Sequence, residues 1–368
     1  MTTTAHRAYS EFGQSIWYDN VQRGLLSSGE FKALIAKGVR GCTSNPTIFD
    51  KAIGGSKDYD AAIQKLVAAN ASVDDIYHAL VIEDIQAAAD ALAPIYEESQ
   101  WQDGYISLEV QPKNALDTQG TVTEALSLVK RVNRPNLMIK VPATNEGLAA
   151  ITELTALGIS VNVTLIFSRA RYVEVAKAYI AGLERAAAEG RDLRKIASVA
   201  SFFISRIDSA VDAWIAKQKP ELQKYLGKTA IANAKLAYVE YQRLFGAEPF
   251  TSLAAKGAQA QRLLWASTGT KNPAYSDTLY LDELIGRNTV NTVPPATLSA
   301  FLDHGSVSDT LEKAIEPARD TLNALANEGL DLDAVCEQLL QEGVKSFIES
   351  MEHLFQVIAS RREEFAGR

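Results

Sequence analysis

The run NLMIKVPAT at 136–144 decides how this chain is read. Leu137, Met138, Ile139, Val141 and Pro142 surround a single cation, Lys140. A continuous apolar run of this length, broken by Pro142 and Thr144, predicts a strand buried on both faces. Lysine is almost never buried without a partner, because desolvating an ammonium is costly. Two outcomes are open from the run alone. Burial lowers a lysine pKa, and a neutral amine is a nucleophile toward carbonyls, the first step of Schiff-base chemistry. Alternatively, Lys140 snorkels to a rim or pairs with a carboxylate.

Working outward, similar short runs recur: SIWYD (15–19), GVRGCTS (38–44), YISLEVQP (105–112), ISVNVTLIF (159–167), IASVASFFI (196–204), RLLWAS (262–267) and TVNTVP (289–294). Amphipathic stretches separate them, at 72–99, 121–134, 145–158, 168–190 and 228–246, the first opening on Ser72 as a cap. A last helix is expected over 345–365, where Phe347, Met351 and Phe355 recur at i, i+4 and read as packing against the domain rather than as a cofactor box. Eight strands alternating with helices predict an α/β chain, a (β/α)8 TIM barrel with additional helices, in one domain over 1–368. A doubly wound open sheet is the alternative, but no GxGxxG follows an early strand and there is no P-loop. The helices of roughly 308–368 are left two positions, over the barrel floor or over its mouth.

Composition narrows the partners. A net charge of −8 disfavours nucleic acid or an anionic membrane, since both call for a basic surface. No run of about 18 apolar residues predicts a transmembrane helix, and the start MTTTAHRAYSEF lacks the apolar core of a secretory signal. Cys42 and Cys336 belong to no metal-spaced cluster, and the four histidines are scattered. The expectation is a cytoplasmic protein with buried, reduced thiols. Cys42 lies close to Asn45, so oxidation sensitivity is weighed against an inert thiol. Nothing in the sequence fixes an oligomeric state.

In such a barrel, chemistry sits where the strands end. The expected strand ends carry Asp19, Asn45, Glu109 with Gln111, Lys140, Asn162 with Thr164, and Ser201 with Arg206. Taken singly, each has a plain structural explanation: Asp19 as a helix cap, Asn45 before Pro46 as a turn residue, Arg206 as a surface pair. Together they are harder to explain so. Burying Asp, Glu, Lys and two Asn in one barrel costs several kcal/mol unless they satisfy one another or a ligand. A lysine with a nearby acid and base and a phosphate clamp is a parts list for amine-based carbonyl chemistry.

Five motifs then match one family. GCTSNPTIFDKAI (41–53), SLEVQP (107–112), NLMIKVPAT (136–144), GISVNVTLIFS (158–168) and VASFFISRID (199–208) stand in the order and spacing of transaldolases. The chain resembles the longer bacterial members of that family, and WASTGTKNPAYSD (265–277) resembles the same group. The resemblance implies a (β/α)8 barrel in the pentose phosphate pathway. It implies transfer of a dihydroxyacetone unit from sedoheptulose 7-phosphate to glyceraldehyde 3-phosphate, giving erythrose 4-phosphate and fructose 6-phosphate.

Residue by residue, the resemblance makes Lys140 the Schiff-base lysine and Asp19, through WYDN (17–20), the base for the C4 hydroxyl. Glu109 and Thr164 would hold a water, and Asn45 and Asn162 would bind hydroxyls of the three-carbon unit. Ser201 and Arg206 would bind phosphate, with Phe203 beside the substrate. No metal or organic cofactor is implied, because the iminium is the electron sink. Shorter members carry a second phosphate-binding arginine where this chain has ASTGTKN (266–272), so Lys271 is the candidate in its place.

Two other functions compete. Fructose-6-phosphate aldolases share the barrel and the lysine, but those relatives carry Gln and Tyr where this chain has Glu109 and Phe203. A non-catalytic barrel that binds sugar phosphates needs no buried amine, so the set Lys140, Asp19 and Glu109 argues against it.

Overall fold

The eight apolar runs form eight strands that close on themselves. In the computed structural model, which describes residues 2–366, β1 (Gln14–Tyr18), β2 (Val39–Thr43), β3 (Ile106–Glu109) and β4 (Leu137–Pro142) are followed by β5 (Val161–Ile166), β6 (Ser198–Phe203), β7 (Arg262–Ala266) and β8 (Thr289–Val293). Neighbours pair in parallel in chain order, and β8 returns to β1. The barrel expectation is therefore met and the open sheet is not. Met1, Gly367 and Arg368, included in the one-domain expectation, lie outside the described residues.

The strands read as unbroken apolar runs because helices cover their outer faces. Trp17, Trp265, Tyr105 and Phe202 are fully buried, and burial of each large side chain contributes about 1.5–3 kcal/mol. Packing of Trp17 fixes one glycine: a Cβ at Gly41 would clash with the indole ring. No helix among the described residues is long and apolar enough to cross a membrane.

The expected helices form with small shifts at their ends. The first runs from Val73 to Glu98, and Ser72 caps it in a reciprocal box with Asp75. Asp117, Thr144 and Ser168 cap the helices Thr118–Val132, Asn145–Ala156 and Arg169–Ala188 by a single side-chain bond each, accepting from the backbone N–H three residues on. The stretch expected as strand through Pro112 ends at Glu109 instead. Pro112 has no N–H for a ladder and opens a single 3₁₀ turn, Pro112–Asn114.

The largest departure is the last helix, which runs from Leu332 to Ala366 and not only over 345–365. Of the two positions open to it, it takes the mouth. Gly343, inside this helix, permits the approach, since a Cβ there would meet Leu165 Cδ2 at 2.7 Å. Leu165 is itself unusual. It has φ of 60° and sits where the β5–β6 register shifts between Val163 and Ile166. A left-handed non-glycine residue costs about 1–2 kcal/mol, and such a bulge bends a strand end. Farther along, Ser350 Oγ lies 2.8 Å from Thr47 Oγ1, and His353 Nδ1 lies 2.7 Å from Asp50 Oδ1. Arg361 donates to Asp60 Oδ1 and to the carbonyl of Ser56, and Arg362 donates to the carbonyl of Ala71. The helix is thus held at both ends, on β5 and on the helices Pro46–Gly55 and Asp60–Ala68.

Candidate active site

Strand register assembles the centre of the site. Glu109 on β3 is level with Lys140 on β4, and Lys140 is level with Asn162 on β5. Level residues on parallel neighbours share a face, so three polar side chains enter one layer of the barrel. Lys140 is 5 % exposed. Its Nζ donates to the carbonyl of Ser44 at 3.1 Å and lies 3.3 Å from Glu109 Oε2. Of the alternatives left by the sequence, the pairing with a carboxylate is present. It is an ion pair without hydrogen-bond alignment, because neither Glu109 oxygen accepts a hydrogen bond among the described residues. The Thr164 hydroxyl is buried and unpartnered in the same sense.

Above this layer opens a cavity of about 500 Å³. Eight of the ten expected site residues line it: Asp19, Asn45, Lys140, Thr164, Ser201, Phe203, Arg206 and Lys271. Glu109 and Asn162 lie behind its wall. Asn162 was expected to meet substrate, yet much of its amide is already used. Nδ2 donates to Ser107 Oγ at 2.9 Å, and Oδ1 accepts from Ser201 Oγ at 2.7 Å. The Ser201 hydroxyl hydrogen is therefore committed to Asn162, leaving its oxygen lone pairs facing the cavity. Asn45 combines both of its readings. Its Oδ1 caps the Pro46–Gly55 helix by accepting from Ile48 N, and its residue still lines the cavity.

Asp19 follows β1, and its N–H donates to the carbonyl of Val293, tying it to the end of β8. Its Oδ1 accepts from Thr43 Oγ1 at 2.6 Å, and Thr43 in turn meets Thr292 Oγ1 at 2.6 Å. Burial raises the Asp19 carboxyl above its ordinary value, against the Thr43 hydrogen bond and the charges of Lys140 and Lys271. Burial likewise raises Glu109, with Lys140 opposing. Two carboxyls therefore flank one amine, one facing the cavity and one behind it.

The mouth is cationic although the chain is acidic. Arg206, Lys271 and Lys51 line the cavity, and none of them has an ion pair among the described residues. Burial lowers the Arg206 guanidinium, and Glu342 on the last helix opposes the shift; arginine stays charged regardless. The guanidinium lies 5.6 Å from the Phe203 ring centroid.

Sequence reasoning missed Lys51, Thr43, Thr292 and Phe347. Lys51 had a local signal: it is one helical turn beyond Thr47 on the helix that Asn45 caps, and both line the cavity. Phe347 had none. It was expected only to pack against the domain; it is buried, but it also forms part of the cavity wall. Cys42 is fully buried, with burial and the Asp19 charge raising its thiol far above the usual range. That favours the inert reading.

Comparison with known proteins agrees with this geometry. Residues 16–358 match the family model described as Transaldolase/Fructose-6-phosphate aldolase. A transaldolase of Trichodesmium erythraeum is 48% identical, with 98% of each chain covered. One from Saccharopolyspora erythraea is 49% identical over 99% of this chain and 100% of its own. One from Thiobacillus denitrificans is 50% identical over 95% of this chain and 98% of its own. A closed parallel barrel with a lysine at its mouth and near-complete matches of this strength lead to one conclusion: the chain belongs to the transaldolase/fructose-6-phosphate aldolase family.

Proposed function

We propose that this chain is a transaldolase of the pentose phosphate pathway, acting in the cytoplasm as one domain. It moves a dihydroxyacetone unit reversibly from sedoheptulose 7-phosphate to glyceraldehyde 3-phosphate. The observation that carries the reading is Lys140, buried at the barrel mouth 3.3 Å from Glu109 and facing a cavity lined by unpaired cations.

Lys140 Nζ attacks the C2 carbonyl of the ketose phosphate, and loss of water leaves an iminium. Glu109 and Thr164 hold the water that carries protons in this step; their buried oxygens without hydrogen-bond partners support that role. Asp19 then takes the proton of the C4 hydroxyl. The C3–C4 bond breaks, its electron pair flows into the iminium, and the aldose phosphate leaves. The enamine on Lys140 attacks the aldehyde carbon of the acceptor, Asp19 returns the proton, and hydrolysis releases the new ketose phosphate. Asn45 binds hydroxyls of the three-carbon unit through Nδ2, since Oδ1 serves the helix cap. Asn162 acts from behind the wall, through its remaining Nδ2 hydrogen and through Ser201. Arg206 is the main phosphate clamp and Lys271 a second cation; Ser201, expected as a phosphate ligand, gives its hydrogen to Asn162 and so orients that amide instead.

Borohydride trapping with fructose 6-phosphate, followed by peptide mass spectrometry, tests this. A reduced three-carbon adduct on Lys140 is expected. Absence of an adduct at any lysine of the folded protein would overturn the reading. Fructose-6-phosphate aldolase activity is the nearest alternative, and Glu109 and Phe203 argue against it. Release of free dihydroxyacetone without an acceptor aldehyde, at the rate of transfer, would favour the aldolase.

A further inference from the structure

The last helix brings a ring to the reacting nitrogen from more than two hundred residues away. The Phe347 ring centroid lies 5.7 Å from Lys140 Nζ, and Phe347 is 4 % exposed while lining the cavity. That separation is within cation–π range, and the site is largely desolvated. The ring is held on either side along its helix. Gly343 seats the helix on Leu165 one turn before, and Ser350 meets Thr47 one turn after. Phe347 is therefore a fixed wall and not a loose cover.

Such a wall acts on the fate of the covalent intermediate. In transfer, enamine C3 bonds to the acceptor aldehyde carbon, and the aldehyde oxygen takes a proton. In the wasteful branch, C3 takes a proton and restores the iminium, and water adds to C2. The C–N bond then breaks, C2 becomes a carbonyl, and the proton returns to Lys140 nitrogen. Water must reach C2, the atom bonded to the nitrogen beside the ring. We infer that Phe347 is a specificity-determining residue: its ring, fixed over Lys140 by the last helix, excludes water from the three-carbon Schiff base and so favours transfer over hydrolysis. The inference rests on the transaldolase reading proposed above.

The test is a partition ratio. The whole chain is given fructose 6-phosphate with and without erythrose 4-phosphate as acceptor, and release of free dihydroxyacetone is compared with formation of sedoheptulose 7-phosphate. Phe347→Ala is expected to raise hydrolysis relative to transfer by about tenfold, the scale of a desolvated cation–π contact together with water entry. Met351→Ala, one turn along the same buried face and outside the cavity lining, is expected to loosen packing without moving the ratio. A ratio unchanged in Phe347→Ala, with Lys140 still trapped by borohydride, overturns the role of the ring. An equal rise in Met351→Ala also overturns it, since loosening of the helix would then suffice. If Phe347→Ala does not fold, Phe347→Leu, which keeps apolar volume, carries the test with an expected rise of about threefold, and no rise overturns it. No Lys140 adduct in the unsubstituted chain defeats the transaldolase reading itself, and this inference with it.

Discussion

The two ends of the barrel both bury charge, and they do so in opposite ways. At the floor, Asp103 is 1 % exposed. It accepts from Ser15 Oγ, from Trp17 Nε1 at 2.8 Å and from Arg40 Nε at 2.9 Å, with Arg262 at 3.7 Å. Arg262 also donates to Ser15 Oγ and to the carbonyl of Gln102. The floor hollow, at about 650 Å³, is larger than the cavity at the mouth. Yet Asp103 and Arg262, its two charged groups, are paired. At the mouth, among the described residues, Glu109 and Thr164 keep oxygens without hydrogen bonds, Lys140 has one ion pair, and Arg206, Lys271 and Lys51 have none. A satisfied buried network fixes structure, whereas an unsatisfied one stores capacity for a ligand. Size alone would have chosen the wrong end, and unpartnered neutral oxygens do not decide, since Gln14 Oε1 and Gln261 Oε1 are also without partners at the floor; unpaired charge chooses the right one.

Four experiments can break or sharpen that contrast. The largest effect is expected at the mouth: Lys140→Met should cut transfer by about 10⁴-fold or more, as removal of a covalent nucleophile does. Its melting temperature should move less than that of the floor variant. Retained turnover would end the covalent mechanism. At the floor, Asp103→Ala should lower unfolding free energy by about 3–5 kcal/mol, because it leaves Arg40 and Arg262 without their carboxylate. Denaturant titration checks this, and kcat should stay close to that of the parent. Loss of turnover at unchanged stability would erase the distinction between the two ends.

Next in size, Arg206→Ala should raise KM for phosphorylated substrates by about 10–100-fold, the worth of a charge-assisted contact. Unphosphorylated analogues should be affected far less. Lys271→Ala should change the same KM only a few-fold, since an exposed lysine is screened by solvent. Equal effects from both would recast the clamp as a shared one.

The smallest effect is a displacement in pH. Burial raises the Asp19 carboxyl, so the folded chain keeps that proton to a higher pH than the unfolded chain. Ionising Asp19 thus lowers folding stability as pH rises through the raised pKa, while it creates the base the reaction needs. The acid limb of the kcat profile should accordingly lie above the ordinary carboxylate range of about pH 4. Asp19→Asn should remove the limb together with most of the rate. A limb at the ordinary carboxylate position would mean that another group is the base.

Much of this was legible because each signal was local. A strand covered on both faces is an unbroken apolar run, so β4 and β5 were readable from a few residues each. Lys140 stood out as a cation enclosed on both sides by apolar residues. Glu109, Asn45 and Asp19 were legible as polar residues at strand ends. What local sequence does not carry is which polar groups satisfy one another. Asn162 looks like a substrate ligand until Ser107 and Ser201 are seen to occupy its amide. The reach of the last helix was equally hidden. Its docking depends on a missing Cβ at Gly343 and on a left-handed turn at Leu165, two features that meet only in three dimensions.

That helix also makes the site depend on both ends of the chain. Its bonds to Thr47 and Asp50 each join residues 303 apart, and its bond to Asp60 spans 301. One of its seats is on β5 and the other is on the helices after β2, so it straps together segments that belong to different parts of the barrel. The nucleophile and the ring beside it therefore rest on separate supports: Lys140 is placed by its neighbouring strands, whereas Phe347 is placed by the docking of the last helix. Damage near the end of the chain can reach the site without touching the strand that carries the lysine.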